Sequence, residues 1–187
     1  MLPWIRISIV FLLLCGGIYP TVVVGLGQLF FHNQAQGSIV SDAQGNPVGS
    51  SLMAQAFDKA QYFHPRPSAA GNDGYDATNS GGSNLAATNQ ALIDRVKGSV
   101  ADAQTDDPNL KEVPADMVTT SGSGLDPDIS PENALAQVAR VAQARNMSPA
   151  DLTAFVNSHI IGRDLGIFGE PRVNVLQLNL DLDALKK

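Results

Sequence analysis

A single cysteine, Cys15, stands in 187 residues, so no disulfide can form within the chain. Basic residues are also scarce: 12 Lys and Arg face 18 Asp and Glu, a formal net charge of −6. That balance excludes nucleic acid as a partner, since phosphate binding needs a basic face. No run of Lys or Arg lies beside the apolar segment, which removes the usual means of gripping anionic headgroups. Several catalytic motifs are missing: no GxxxxGK[ST] phosphate loop, no GxGxxG and no GxSxG nucleophile elbow. The three histidines, His32, His64 and His159, lie far apart with no metal-ligand spacing. The residues therefore yield no catalytic assignment and no metal site.

Charge is absent altogether from Ile7 to Phe31. A helix crossing about 30 Å of hydrocarbon needs roughly 20 apolar residues, and this run exceeds that. Signal-peptide cores are shorter, which sets aside cleavage near Ala35-Gln36-Gly37. Leucines, not small residues, precede Cys15, which sets aside a lipid anchor. The expectation is a retained transmembrane helix over 7–31. Pro20, Gly25 and Gly27 weaken an isolated helix, and Gly16, Gly17, Gly25 and Gly27 let a neighbouring helix approach closely. Gly25 and Gly27 are therefore candidate partner contacts. Arg6 precedes the span, and the next basic residue after it is Lys59. The asymmetry predicts a cytoplasmic N-terminus over 1–6 and an extracytoplasmic domain over 32–187.

That remainder is polar, acidic and long enough for one domain with a real core. Ser38–Val40 and Val48–Ser50 flank Gln44-Gly45-Asn46-Pro47, which predicts a β-hairpin. Helical spacing is expected over 51–60 and 89–100. Pro65 and Pro67 hold Tyr62–Ser68 extended, and Ala69–Asn84 is nearly all Gly, Ser, Asn, Asp and Ala. Met117–Thr120 reads as a strand. Ser130 is a good N-cap, with Pro131 and Glu132 opening a helix whose face carries Leu135, Val138, Val141 and Ala142. Ser148–Asp151 reads as a capping box before a helix burying Leu152, Phe155 and Val156. Alternation over Val173–Leu182 predicts a strand. The fold class is α+β: one N-terminal transmembrane helix, then a single mixed extracytoplasmic domain.

Three places carry candidate chemistry. Ser121-Gly122-Ser123-Gly124, ahead of a helix start, has the composition of a nucleotide- or anion-binding turn; the competing reading is a capped structural loop. Arg66, with Tyr62 and Phe63, is a candidate partner contact for a carboxylate or aromatic face, set against an internal salt bridge. Asp73, Asp76, Asp126 and Asp128 form a candidate cation-gathering rim, set against ordinary solvated charge.

The residue order resembles a known family. Its marks are one N-terminal span, then Tyr62-Phe63-His64-Pro65-Arg66-Pro67-Ser68-Ala69, Ser121–Pro131, Gln137 with Arg140-Val141-Ala142, and Gly169–Leu176. The chain resembles the C subunit of the bacterial Kdp-type potassium-transporting ATPase. The resemblance implies a non-catalytic subunit of a four-subunit potassium pump in the bacterial inner membrane. Its implied partners are a channel-like potassium-translocating subunit, a P-type ATPase subunit, a small single-helix subunit and membrane lipid. It further implies roles in assembly and as a catalytic chaperone raising the ATPase subunit's affinity for ATP. ATP would then act through the partner and potassium would be the transported ion. The DKTG phosphorylation motif is absent here, in keeping with chemistry on the partner.

Overall fold

The computed structural model describes residues 2–42, 44–108 and 110–185. They divide into two units, Met1–Ile39 and Val40–Lys187.

The first unit is dominated by a continuous apolar helix, Pro3–Phe30, of 28 residues, with an 18-residue stretch of mean hydropathy 2.3. It is long and apolar enough to cross a membrane. It begins earlier than the uncharged run because Pro3 suits the first helical turn, where no N–H is missed. It is not uniform. Segment α1 (Pro3–Leu13) passes through a π-helical stretch, Leu14–Ile18, into α2 (Tyr19–Phe30). Pro20 is the cause in sequence: it has no N–H for the carbonyl four residues back. The backbone responds by widening, and Tyr19 N–H donates to Leu14 O, five residues earlier. The Thr21 hydroxyl adds a 2.8 Å bond to Gly17 O. In lipid such substitutes matter, because water is not there to serve a freed carbonyl. A single turn, α3 (His32–Ala35), follows.

The second unit is mixed α and β, the expected class. Strands β1 (Ile39–Ser41) and β2 (Pro47–Ser50) form the expected hairpin. Asp42 shapes its turn by accepting from the backbone N–H groups of Gln44 (2.9 Å) and Asn46 (2.8 Å). Those bonds hold the Asp42 carboxyl below its usual range. Residues 51–60, expected as a helix, carry none. Ala54 N–H is drawn to Leu125 O at 2.9 Å and the Gln55 amide to Val48 O at 3.0 Å, so long-range bonds override local spacing. Helix α4 (Gln90–Asp106) starts on Asn89, whose side chain accepts from Ala91 N–H, and runs past the expected end. The expected strand at 117–120 is instead a helical turn, α5 (Ala115–Val118), opening after Pro114 with Asp116 in its first turn.

Strands β3 (Asp128–Ile129) and β4 (Val173–Asn174) pair antiparallel, Asp128 opposite Asn174 and Ile129 opposite Val173. Ser130 caps α6 (Pro131–Ala136) as expected, its hydroxyl accepting from Asn133 N–H at 3.0 Å. The single helix expected after it breaks at Gln137 and resumes as α7 (Val138–Arg145). Val138, Val141 and Ala142 are buried, whereas Leu135 is exposed. Helix α8 (Pro149–Ser158) buries Leu152 and Val156, but the Ser148 hydroxyl makes no capping bond, so the capping box is not formed. The largest correction concerns 173–182. Only Val173–Asn174 is extended; Val175–Ala184 is α9. Val175, Leu178, Asn179 and Leu182 are buried at helical spacing, and Asn174 caps the helix by accepting from Gln177 N–H. The alternating leucines reproduced a strand pattern by chance of position.

The core gathers Phe63, Ile129, Val141, Leu152, Val156, Val173, Leu178 and Leu182, all essentially without solvent contact. Three come from α7 and α8, two from α9, two from the short sheet, and one, Phe63, from irregular chain.

Candidate functional site

Phe63 raises a physical problem. An irregular segment carrying a buried aromatic brings its own backbone polar groups out of water, and each must find a partner. No strand pairs with Ala60–His64; side chains from α7, α9 and the break between α6 and α7 take that place. Asn179 on α9 holds Phe63 at two points: its amide oxygen accepts from Phe63 N–H and its NH2 donates to Phe63 O, both at 2.9 Å. Gln137 treats His64 the same way, accepting from its N–H at 2.7 Å and donating to its carbonyl at 3.0 Å. Arg140 donates from Nη1 to Ala60 O (2.7 Å) and Tyr62 O (3.0 Å) and from Nη2 to the Gln137 amide oxygen (2.6 Å). Arg145, nearly fully buried, donates from Nε to Gln61 O (2.7 Å) and from Nη2 to Asp183 (2.7 Å). Its guanidinium also lies 5.1 Å from the Tyr62 ring centroid, and the Tyr62 hydroxyl donates to Asp183 at 2.9 Å. Of the candidate partner contacts, Phe63 is completely buried and Tyr62 is half-buried, tied to Asp183 and Arg145.

The proline-rich segment continues into an interlock with the Ser121–Gly124 turn. Arg66 Nη1 pairs with Asp126 at 3.1 Å. The Ser68 hydroxyl donates to Gly124 O at 2.6 Å, and Gly81 N–H donates to Ser123 O at 2.8 Å. Tyr75 donates its hydroxyl to Arg66 O at 2.8 Å; burial pushes that phenol up to about 12. Gly124 has φ +68°, and a Cβ there would lie 2.6 Å from Gly81 O and 2.8 Å from Ala70 N. Only glycine lets the two loops meet this closely. The polar groups of the turn are largely engaged inside the domain: Ser121 Oγ accepts from Gly124 N–H and Ser123 Oγ from Leu125 N–H. Gly122 has open space around it.

Of the four rim aspartates, Asp126 and Asp128 are neighbours, the Asp128 N–H donating to Asp126 Oδ1 at 3.1 Å. Asp126 is taken by Arg66. Asp128 faces Asn174 Nδ2 at 3.1 Å and Arg172 at 3.2 Å, and burial still pushes its carboxyl up. Asp76 accepts from the Thr78 N–H and hydroxyl, which holds its carboxyl down. Asp73 is exposed. Among the described residues no group of three or more His, Cys, Asp or Glu side chains is arranged to hold a metal. Gly25 and Gly27 lie on α2 with nothing within 4 Å of where a Cβ would stand, so that stretch is open to a neighbour.

A match to the family model described as "KdpC: K+-transporting ATPase, c chain" spans residues 1–184. The chain belongs to the KdpC family. Relatives named potassium-transporting ATPase KdpC subunit agree along nearly the full length. The one from Koribacter versatilis is 53% identical over 96% of this chain and 92% of its own. That from Gemmatimonas aurantiaca is 53% identical over 92% and 86%, and that from Geobacter sulfurreducens 49% identical over 98% and 96%. KdpC membership therefore covers the apolar helix and the domain together, and the resemblance seen in the sequence holds.

Sequence reasoning missed several parts of this site. Asn179, Asn133, Asp116 and Arg145 were given no role, although Asp116 accepts from Ser130 N–H (2.8 Å), the Ser130 hydroxyl (2.9 Å) and Asn133 Nδ2 (3.0 Å). It also missed the 160–172 excursion, a small antiparallel loop with bridges Ile161–Arg172 and Asp164–Phe168. Leu165, Ile167 and Phe168 at its tip are among the most exposed apolar side chains of the domain.

Proposed function

We propose that this chain is the non-catalytic accessory subunit of a high-affinity, ATP-driven potassium uptake pump. It assembles and stabilises the complex and acts as a catalytic chaperone that raises the ATP affinity of the P-type ATPase subunit. The observation that carries the reading is KdpC membership over residues 1–184, helix and domain included. Its partners are the channel-like potassium-translocating subunit, the ATPase subunit, a small single-helix subunit and lipid of the bacterial inner membrane. The helix spans that membrane with residues 1–6 in the cytoplasm and 32–187 outside. ATP lies on the cytoplasmic side, so its affinity is raised at a distance, through a conformational equilibrium biased by helix and domain. The domain's side-chain clamps suit such a role, because a rigid body transmits bias better than a loose one.

The alternative is a nucleotide-binding module in which Ser121–Gly124 shares an ATP site with the ATPase subunit. The loop's serines are tied to their own backbone and to 68–81, which favours the structural reading.

Three experiments test the proposal. Removing residues 1–31 abolishes recovery of the complex; an intact, active pump with the truncated chain refutes it. Azido-ATP photolabelling of the assembled pump marks the ATPase subunit and spares this chain; label on Ser121–Gly124 establishes the alternative. For topology, a Cys15→Ser chain removes the sole cysteine. A cysteine then placed at exposed Asn157 reacts with an impermeant maleimide from outside the cell, and reaction only after permeabilisation reverses the orientation.

A further inference from the structure

The clamped segment has a second face. Across from it lies α4, a helix of 17 residues with none fully buried. Between them runs a cleft of about 370 Å³. The floor is apolar, formed by Phe57, Pro65, Pro67 and Tyr75. The α4 side is different: Asp102 and Asp106 line it, and Asp58 joins them from below. All three carboxylates are exposed, and none forms an ion pair among the described residues. A neighbouring cavity shares Asp58, His64, Asp106 and Arg140, so the depression continues past the ring of His64.

The cations lining the cleft offset this rim only in part. No lysine lines the cleft. Arg140 does; its Nη atoms bond the neutral acceptors Ala60 O, Tyr62 O and Gln137, and its one charge acts on Asp106 and on Asp107, a further carboxylate of the lining. Burial and the nearby Arg140 charge lower the pKa of His64, which favours its neutral ring. The surplus is negative, above an apolar floor.

We infer that this cleft receives a lysine or arginine side chain of another pump subunit, its aliphatic stem on Phe57, Pro65, Pro67 and Tyr75 and its charge among Asp58, Asp102 and Asp106. The inference rests on the assembly role proposed above. Long basic side chains combine an apolar stem with a charged end, and the cleft offers the complement of both. A bare cation does not suit it: hard metal ions want a shell of oxygens converging on one point, and among the described residues no three carboxylates are so arranged. Anionic lipid headgroups are repelled by the rim.

The test uses the assembled pump in native membranes. A benzoylphenylalanine photocrosslinker replaces Ser99, which lines the cleft without belonging to the acidic rim. Irradiation then captures what enters. The expected product joins Ser99's position to a partner-subunit peptide with Lys or Arg within a few residues of the attachment. Neutralising the rim (Asp102→Asn with Asp106→Asn) lowers its yield about tenfold, equivalent to about 1.4 kcal/mol. Gln104→Lys, a charge change on an exposed α4 position outside the cleft, leaves the yield unchanged. Capture of lipid, of a second copy of this chain, or of a peptide without a basic residue overturns the inference, as does a yield indifferent to neutralisation. An intact pump with no crosslink overturns it too, while sparing the assembly role. If the unaltered chain fails to join a pump at all, the assembly role falls and takes the cleft's occupant with it.

Discussion

Replacing Asn179 with alanine tests the clamp most directly. Asn179 is 1% exposed and Phe63 is 0% exposed, so both of their shared hydrogen bonds lie out of water. Alanine leaves Phe63 N–H and C=O without partners. Each orphaned group costs about 1–3 kcal/mol, and the vacated space adds somewhat more. A loss of about 4 kcal/mol follows, a large share of the 5–15 kcal/mol that usually separates folded from unfolded states. In a chain of this size that lowers the midpoint of thermal unfolding by roughly 8–16 °C. The assay is circular dichroism of the full chain in mild detergent. Tryptophan fluorescence would mislead, since the one tryptophan, Trp4, lies in the apolar helix. Asn179→Asp separates the two bonds. The new carboxyl still accepts from Phe63 N–H but donates to Phe63 O only when protonated, so its folded-state pKa is raised. The variant's stability is then highest below the unfolded value of about 3.9 and is lost as pH rises through the folded one. If Asn179→Ala stays within about 1 kcal/mol of the parent, the Phe63 backbone has other partners and the clamp reasoning fails.

Three further outcomes follow from the same geometry. Gly124→Ala forces a left-handed conformation on a residue with Cβ and drives that Cβ into Gly81 O and Ala70 N; about 2 kcal/mol or more is lost, whereas Gly122→Ala, with open space, changes stability by less than about 0.5 kcal/mol in denaturant titration. Arg140→Lys keeps the charge but cannot reach Ala60 O, Tyr62 O and Gln137 together; urea unfolding shows a loss of about 2 kcal/mol, and an unchanged midpoint would mean the fork is dispensable. Burial, helped by the Arg140 charge, lowers the His64 pKa below 6.5. The stability contributed by its neutral ring is complete above about pH 6.5 and is lost as pH falls from there through the folded-state value; NMR titration of the ring reads that value, and His64→Gln removes the slope.

What the sequence made readable was local. The Gln44–Pro47 turn, the Ser130-Pro131-Glu132 helix start and the extended Tyr62–Ser68 stretch each carry their cause within a few residues. The misread segments have causes far away. Ala54 and Gln55 give up a helix for Leu125 and Val48. Leu176, Leu178, Leu180 and Leu182 alternate like a strand, yet Asn174 as a cap and the burial of Val175 and Asn179 decide for a helix. The interlocked prolines and glycines were visible as motifs, but the residues that hold them were not. Asn179 grips Phe63 across 116 positions and Gln137 grips His64 across 73. An asparagine on a helix facing a core looks in sequence like an exposed polar position; only the partner backbone gives it meaning.

The π-helical stretch before Pro20 alters the angular register of everything after it. On a regular wheel, at 100° per residue, Ile9 and Gly27 fall at the same azimuth. The widened turn at Leu14–Ile18 takes in one extra residue, so Gly27 is rotated by about 100° from that position. Side chains beyond Ile18 therefore point about 100° away from where an unbroken wheel counted from α1 would place them.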